Sequence, residues 1–219
     1  MEENKKKYYL PSYSVPEVSN YLFLPISTIR AWVGRQKGFV PLIKLSETDP
    51  PTLSFINLVE VYVLASIRRV YKIPMIRVRV GIKYLIKHFP SEHPLADHRF
   101  LTDGLDLFLK KSGAIHNITK GGQIELEFMS EYLKRIEQDP FGMPTKFYPF
   151  TRKGKADEPM IVVIDPEISF GRPILKNKGT PVEAVKERYQ AGESIKELKS
   201  DYGLSQEEIE EALRCKLAA

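Results

Sequence analysis

A mainly α-helical protein with small β-sheets is predicted by three stretches of the 219-residue chain. Ser14 to Val33 reads as two short helices joined by a tight turn. Phe55 to Tyr71 is a long apolar helix, with a second helix close behind it. Thr180 to Leu213 holds three segments, each opened by a capping residue. This order divides the chain into residues 1–92, a helix-turn-helix with a wing; 93–158, an α+β bridging region; and 159–219, a tri-helical unit whose last two helices form a second helix-turn-helix-like pair.

Each element has a local reason. Residues 1–12 carry Lys5, Lys6 and Lys7, then Tyr8 and Tyr9, which reads as a basic arm or a solvated tail. Ser14 is a good N-cap, because its hydroxyl can accept a backbone N–H one turn on. Pro16 fits the first turn, where that N–H has no helical partner. Val15, Val18 and Leu22 then share one face. The second helix is expected to restart at Ser27 or Thr28, with Ile29, Trp32 and Val33 inward. Helices this short must pack on something downstream. Pro41–Leu45 and Pro51–Phe55 read as two strands around the polar loop 46–50, either a wing or a hairpin that caps the core. Ser54 or Asn57 can cap the helix over Phe55–Tyr71. Pro74 interrupts, and Met75–His88 follows, with Met75, Val78, Ile82, Leu85, Ile86 and Phe89 on one face.

The middle is less periodic. Asp103-Gly104 between Arg99–Thr102 and Leu105–Lys110 is a hairpin signal. Gln123 to Gln138 has Ile124, Phe128, Tyr132 or Leu133, and Ile136 at helical spacing, and ends at Asp139-Pro140. Phe147–Phe150 and Met160–Ile164 read as strands around a charged loop, Arg152 to Glu158. Gly171 and Gly179 mark turns. Thr180 is expected to cap a helix with Pro181 at its first position and Glu183 completing a capping box, and with Val182, Val185 and Tyr189 inward. Ser194 with Glu197, and Ser205 with Glu208, open the next two helices, and Gly203 stops the first of these.

Composition narrows the function classes. With 42% hydrophobic and 28% charged residues the chain has a soluble protein's make-up. No apolar run approaches the ~18 residues of a membrane span, and the start lacks a signal peptide's apolar core, so a cytoplasmic protein is expected. The lone Cys215 excludes an intrachain disulfide and a cysteine-based zinc site. Charge is uneven. Fourteen Lys/Arg face seven Asp/Glu over residues 1–92, ten face eight over 93–155, and nine face thirteen over 156–219. A basic front suits nucleic acid and an acidic back suits a protein partner; ordinary surface variation is the alternative. His88, Glu92, His93, Asp97 and His98 cluster in sequence but match no metal-ligand spacing. No phosphate loop, His-Glu-x-x-His or serine elbow is present, so neither an enzyme nor a cofactor is expected. The second helix presents Ser27, Thr28, Arg30 and Arg35. These donors and cations suit phosphates and base edges, unless the pair only completes a core.

Two resemblances sharpen these expectations. Tyr13-Ser14-Val15-Pro16-Glu17-Val18, followed by Ser27-Thr28-Ile29-Arg30-Ala31-Trp32, resembles the start of a MerR-type winged helix-turn-helix. Phe23 stands where that family has a turn glycine, Pro25 sits in the turn, and Ala31 replaces an aromatic residue. The family's helix–helix–wing–helix–helix order is similar to residues 13–89. The resemblance implies a dimer on a two-fold DNA site, with Ser14, Ser27, Thr28, Arg30, Arg35, Lys37 and Lys44 as the DNA-binding residues. The second runs from Asp165 to Leu213: Asp-Pro-Glu-Ile, Gly-Arg-Pro, Gly-Thr-Pro-Val, Ala-Gly-Glu-Ser, Asp-Tyr-Gly-Leu-Ser and Glu-Ala-Leu. It resembles family four-three-three of the domains of unknown function. That family usually reads Gly-Thr-Arg-Ile-Pro where this chain has Gly179-Thr180-Pro181. Larger members resemble VapB-type antitoxins.

The implied function is an antitoxin of a type II toxin–antitoxin system. It would bind its own operator DNA as a transcriptional autoregulator and neutralise a PIN-like ribonuclease toxin. A PIN-like site is a carboxylate cluster, so an inserted cation would suit it, with Arg172 and Arg188 as the toxin-binding candidates. The alternatives are a MerR-like regulator with a small-molecule effector and no toxin, and a plain protein-interaction module.

Overall fold

A computed structural model describes residues 2–34, 41–88, 91–97, 100 and 122–217, and the side chains of these except 2–5 and 122–127. The hairpin expected around Asp103-Gly104 lies outside them, as do Arg35, Lys37, Phe89 and His98.

The basic start is a helix, α1 (Glu2–Tyr9), rather than a free arm or tail. Tyr8 is buried, meeting Phe55 edge-on at 5.8 Å between ring centres. Strand β1 (Tyr13–Ser14) leads directly into α2 (Val15–Leu22). Ser14 caps α2 as expected. The Glu17 amide donates to its hydroxyl, and the Glu17 carboxylate accepts from the Ser14 backbone N–H at 2.7 Å. Such a box satisfies two helix-end donors and stabilises by about 1 kcal/mol. Phe23 closes α2 in the left-handed region, at φ +52°, where a glycine would be unstrained. Helix α3 (Ile26–Trp32) then starts before Ser27, not at it or Thr28. Pro25 holds the helix-ready φ of −59°, and its carbonyl accepts from the Thr28 and Ile29 amides.

The expected wing is not a hairpin. Residues 41–51 form no strand. The Leu42 and Ile43 amides both donate to the Trp32 carbonyl, and β2 (Thr52–Leu53) pairs antiparallel with β1, Tyr13 opposite Leu53. Pro41, Pro50 and Pro51 have no N–H to give to a ladder, which disfavours pairing 41–45 with 51–55.

Ser54 caps α4 (Phe55–Tyr71) with Asn57 completing the box, so the two cap candidates act together. Every residue of α4 from Phe55 to Ile67 is buried, which explains its all-round apolar sequence. Helix α5 (Met75–His88) buries Val78, Ile82 and Leu85 as expected, but Ile86 is exposed. Helix α6 (Gly122–Leu133) packs on α4, where the Tyr62 hydroxyl donates to the Tyr132 carbonyl at 2.6 Å. It stops five residues before Gln138. Ile136–Gln138 is strand β3, antiparallel to β4 (Pro144–Phe147), so Ile136, which has helical spacing in the sequence, lies on a strand and not on a helix. Arg135, the residue just before β3, is fully buried. Its guanidinium is held by the carbonyls of Tyr148, Pro149, Ala156 and Glu158 and lies 4.9 Å from the Phe150 ring centre. Ile136, Phe147 and Phe150 share one core with α1 to α5.

The C-terminal part adds two strands that the sequence pattern hides. Strands β5 (Val162–Val163), β6 (Ile174–Leu175) and β7 (Thr180–Pro181) form an antiparallel meander. Thr180 pairs with Leu175 across that sheet and is no helix cap. Helix α7 (Val182–Gln190) begins after Pro181 without a side-chain cap, and the Pro173 carbonyl takes the Val182 amide instead. Helices α8 (Ile195–Tyr202) and α9 (Gln206–Arg214) carry the expected boxes, Ser194 with Glu197 and Ser205 with Glu208, and Gly203 ends α8 at φ +62°. Val162, Leu175, Val182, Val185, Leu198, Ile209 and Ala212 form this unit's core, while Tyr189 is 45% exposed. Among the described residues no helix is long and apolar enough to cross a membrane.

Candidate nucleic-acid interface

The α2–α3 pair keeps its apolar residues inside and its polar ones outside. Val18, Leu22, Ile29 and Trp32 are buried, and the Arg68 guanidinium lies 5.8 Å from the Trp32 ring centre. Ser27 and Arg30 are exposed on α3, and Thr28 is half-buried beside them. Lys44 is exposed and lies 3.6 Å from the equally exposed Glu92, an ion pair that water screens heavily. Its backbone carbonyl accepts from the Asn57 amide group at 3.0 Å, which ties loop 41–51 to the start of α4. Ser14 is different. Its hydroxyl and amide are both engaged by Glu17, so its visible role is to cap α2.

The two candidate toxin-binding arginines are engaged within the chain. Arg172 pairs with the Glu17 carboxylate. Arg188 bonds to both Glu193 and Asp201, 2.6 Å to the latter, and lies 5.0 Å from the Tyr202 ring centre. Glu193 and then Asp201 push the proton affinity of Arg188 still higher. Either arginine would have to leave these carboxylates before entering a partner's site.

Around Arg172, four contacts fasten the segment 167–172 to the front of the chain. Lys7 and the Tyr8 hydroxyl bond to Glu167, at 2.7 and 3.1 Å. The Tyr13 hydroxyl donates to the Gly171 carbonyl at 3.0 Å, and Glu17 holds Arg172. Tyr13 is 1% exposed, and burial pushes its hydroxyl pKa well up, so it stays a donor. Between these clasps Ile168 and Phe170 face solvent, Phe170 at 95% exposure.

The histidine cluster resolves into separate contacts. His93 Nδ1 lies 3.0 Å from the buried Glu60 carboxylate, whose pKa burial raises, and His88 Nδ1 lies 2.8 Å from the Tyr84 carbonyl. Among the described residues no group of three His, Cys, Asp or Glu side chains could hold a metal ion.

A loop that sequence reasoning did not place here lies against the α2–α3 pair. The backbone at Phe150 joins the end of α2, its amide donating to the Tyr21 carbonyl at 3.0 Å. The next residues, 151–158, wrap around the Glu158 carboxylate. One oxygen accepts from the Thr151 and Arg152 amides, at 3.0 and 2.8 Å, the other from Lys153 and Lys155, at 2.6 and 2.9 Å. Burial pushes the Glu158 pKa up, but these four donors together hold it below the ordinary carboxylate value. The one signal in the sequence was the charged run Arg152–Lys155 closed by Glu158.

Residues 162–214 match the family described as "Protein of unknown function (DUF433)". The whole chain is similar to a Mycobacterium tuberculosis (strain ATCC 25618 / H37Rv) protein named "Putative antitoxin VapB45", with 26% identity over 97% of this chain and 96% of that one. It is also 26% identical to "Uncharacterized protein Rv2308" from the same strain, over 92% of this chain and 88% of the other. The crystal structure of Rv2018 from Mycobacterium tuberculosis shares the fold, with a TM-score of 0.72 and 25% identity over 93% of this chain and 98% of that one.

Proposed function

We propose that this chain is the antitoxin of a type II toxin–antitoxin pair, a non-catalytic, cytoplasmic binding protein that represses its own operon. The observation that carries this is the end-to-end similarity to the protein named "Putative antitoxin VapB45", covering nearly all of both chains. The DNA half is supported by the exposed Ser27 and Arg30 on α3 and by the MerR-type resemblance of residues 13–32. An α-helix fits a major groove, where arginine and hydroxyl side chains read base edges and phosphates. In this reading a dimer sits on a two-fold operator, and a PIN-like ribonuclease is the neutralised partner.

The test is binding of the purified chain to its own upstream DNA and to a scrambled fragment of equal length, across a salt series. The upstream fragment should be preferred, with a log–log salt slope of about −0.9 per neutralised phosphate. Arg30→Ala should remove most of the preference, about 1–3 kcal/mol for one base-reading side chain. A small PIN-like protein encoded beside it should co-purify with it and lose ribonuclease activity. Equal weak binding to both fragments, together with no effect on that ribonuclease, would sink the proposal.

A further inference from the structure

We propose that loop 151–158 takes the place of the missing wing. In this assignment Lys153 and Lys155, with Lys216 at the same turn, form a second cationic edge at the α2–α3 turn, and its ligand is the phosphate backbone of double-stranded DNA. The inference rests on the DNA-binding reading above and adds residues that neither motif contains.

Three observations place the loop. The first is its position. The Phe150 amide bonds to the last turn of α2, and a Cβ built on Gly154 would lie 3.4 Å from both the Phe23 Cβ and an Arg69 guanidinium nitrogen. Phe23 is the left-handed residue of the α2–α3 turn. Gly154, at φ +77° and buried, lets the loop backbone come this close. From the far end of the chain, the Lys216 ammonium lies 4.5 Å from the Phe23 ring centre. The turn is thus bordered by cations that come 130 or more residues later in sequence.

The second observation is rigidity. Four amides converge on the Glu158 carboxylate, and the loop's first cation is tied down, Arg152 Nε bonding to the buried Glu211 carboxylate at 2.9 Å. A loop held in this way loses little conformational freedom when it binds.

The third is charge. Arg152 and Glu158 are satisfied internally, whereas Lys153, Lys155 and Lys216 are exposed, with Asp157 the exposed acid of the same loop. The outward balance stays positive. Compact ammonium groups on flexible stems suit phosphate oxygens, which are spaced regularly and need no bidentate fork.

The experiment compares the wild-type chain, Lys153→Gln/Lys155→Gln, and a charge-matched control, Lys196→Gln/Lys199→Gln on α8, on upstream and scrambled DNA from 50 to 200 mM salt. Removing two phosphate contacts should make the log–log slope about 1.8 shallower, so that the affinity lost across this range becomes about tenfold smaller. The change should be alike on both fragments, the preference for upstream DNA should survive, and the control should keep the wild-type slope. An unchanged slope with the preference intact overturns the loop assignment and leaves the DNA-binding reading standing. An equal change in the control also overturns it, because the effect would then be one of net charge. No wild-type affinity for either fragment at 50 mM salt removes the DNA-binding reading and the loop assignment together.

Discussion

Replacing Glu158 with glutamine should cost the protein about 2–4 kcal/mol at pH 7. The figure follows from the four backbone amides that share this carboxylate, two on each oxygen. Glutamine keeps one oxygen for one pair and turns an NH2 group toward the other pair, donor against donor. Two charge-assisted bonds are lost, each worth about 1.5–3 kcal/mol, and water at the exposed side of the loop restores part of that. For a domain of this size the melting temperature should fall by roughly 5–15 °C. The pH dependence has a definite sign. The folded-state pKa of Glu158 lies below the ordinary value, so its contribution is complete above the unfolded pKa of about 4.3 and is lost as pH falls through the folded value. The gap between wild type and variant, measured by urea unfolding with circular dichroism, should be widest at neutral pH and shrink below about pH 4.5. A loss under 1 kcal/mol at pH 7, or a gap that does not change with pH, would refute the reasoning.

Other outcomes follow from the clasp and from the lone thiol. Tyr13→Phe removes the buried bond to the Gly171 carbonyl and should cost about 1–2 kcal/mol in urea unfolding. Gly171→Ala should cost more than 2 kcal/mol, because its φ is +75° and a Cβ would run into the Tyr13 hydroxyl. Combined with Tyr13→Phe it should cost less than the two single losses together, and strict additivity would argue against contact between them. Cys215 is fully buried, and burial pushes its thiol pKa up to about 12. A thiol-reactive dye at pH 8 should therefore label it only at the rate at which the chain opens, and immediate labelling in native buffer would contradict its burial.

The helix boundaries were the most legible features, because the signals that set them are local. The boxes of Ser14–Glu17, Ser54–Asn57, Ser194–Glu197 and Ser205–Glu208 each act within four residues, and all four form. Boundaries failed where a distant partner outbid a local rule. Thr180 looks like a cap but pairs with Leu175, and Ile136 has helical spacing but pairs with Phe147. The wing was misread because two short apolar runs flanking a polar loop look like a hairpin, whereas Leu53 finds Tyr13 instead. The candidate site shows the same division. Exposed Ser27 and Arg30 follow from helical period alone. That Ser14 is spent on capping, and that Arg172 and Arg188 face their own carboxylates, depends on neighbours that a motif does not list.

The sequence by itself determined the helices opened by a capping box, most of the faces they bury, and that the front of the chain is basic, but not the helix at Glu2–Tyr9 or the exposure of Ile86 and Tyr189. Capping, proline geometry and apolar period act over a few residues, and charge needs only counting. The tertiary structure alone decided what meets across the chain. It brings Glu17 to Arg172, Tyr13 to Gly171, Arg152 to Glu211, and Lys216 with loop 151–158 to the turn at Phe23. Each of these joins groups more than 50 residues apart in sequence. Such pairs form only once the two cores have packed, because packing offsets the chain entropy of bringing them together.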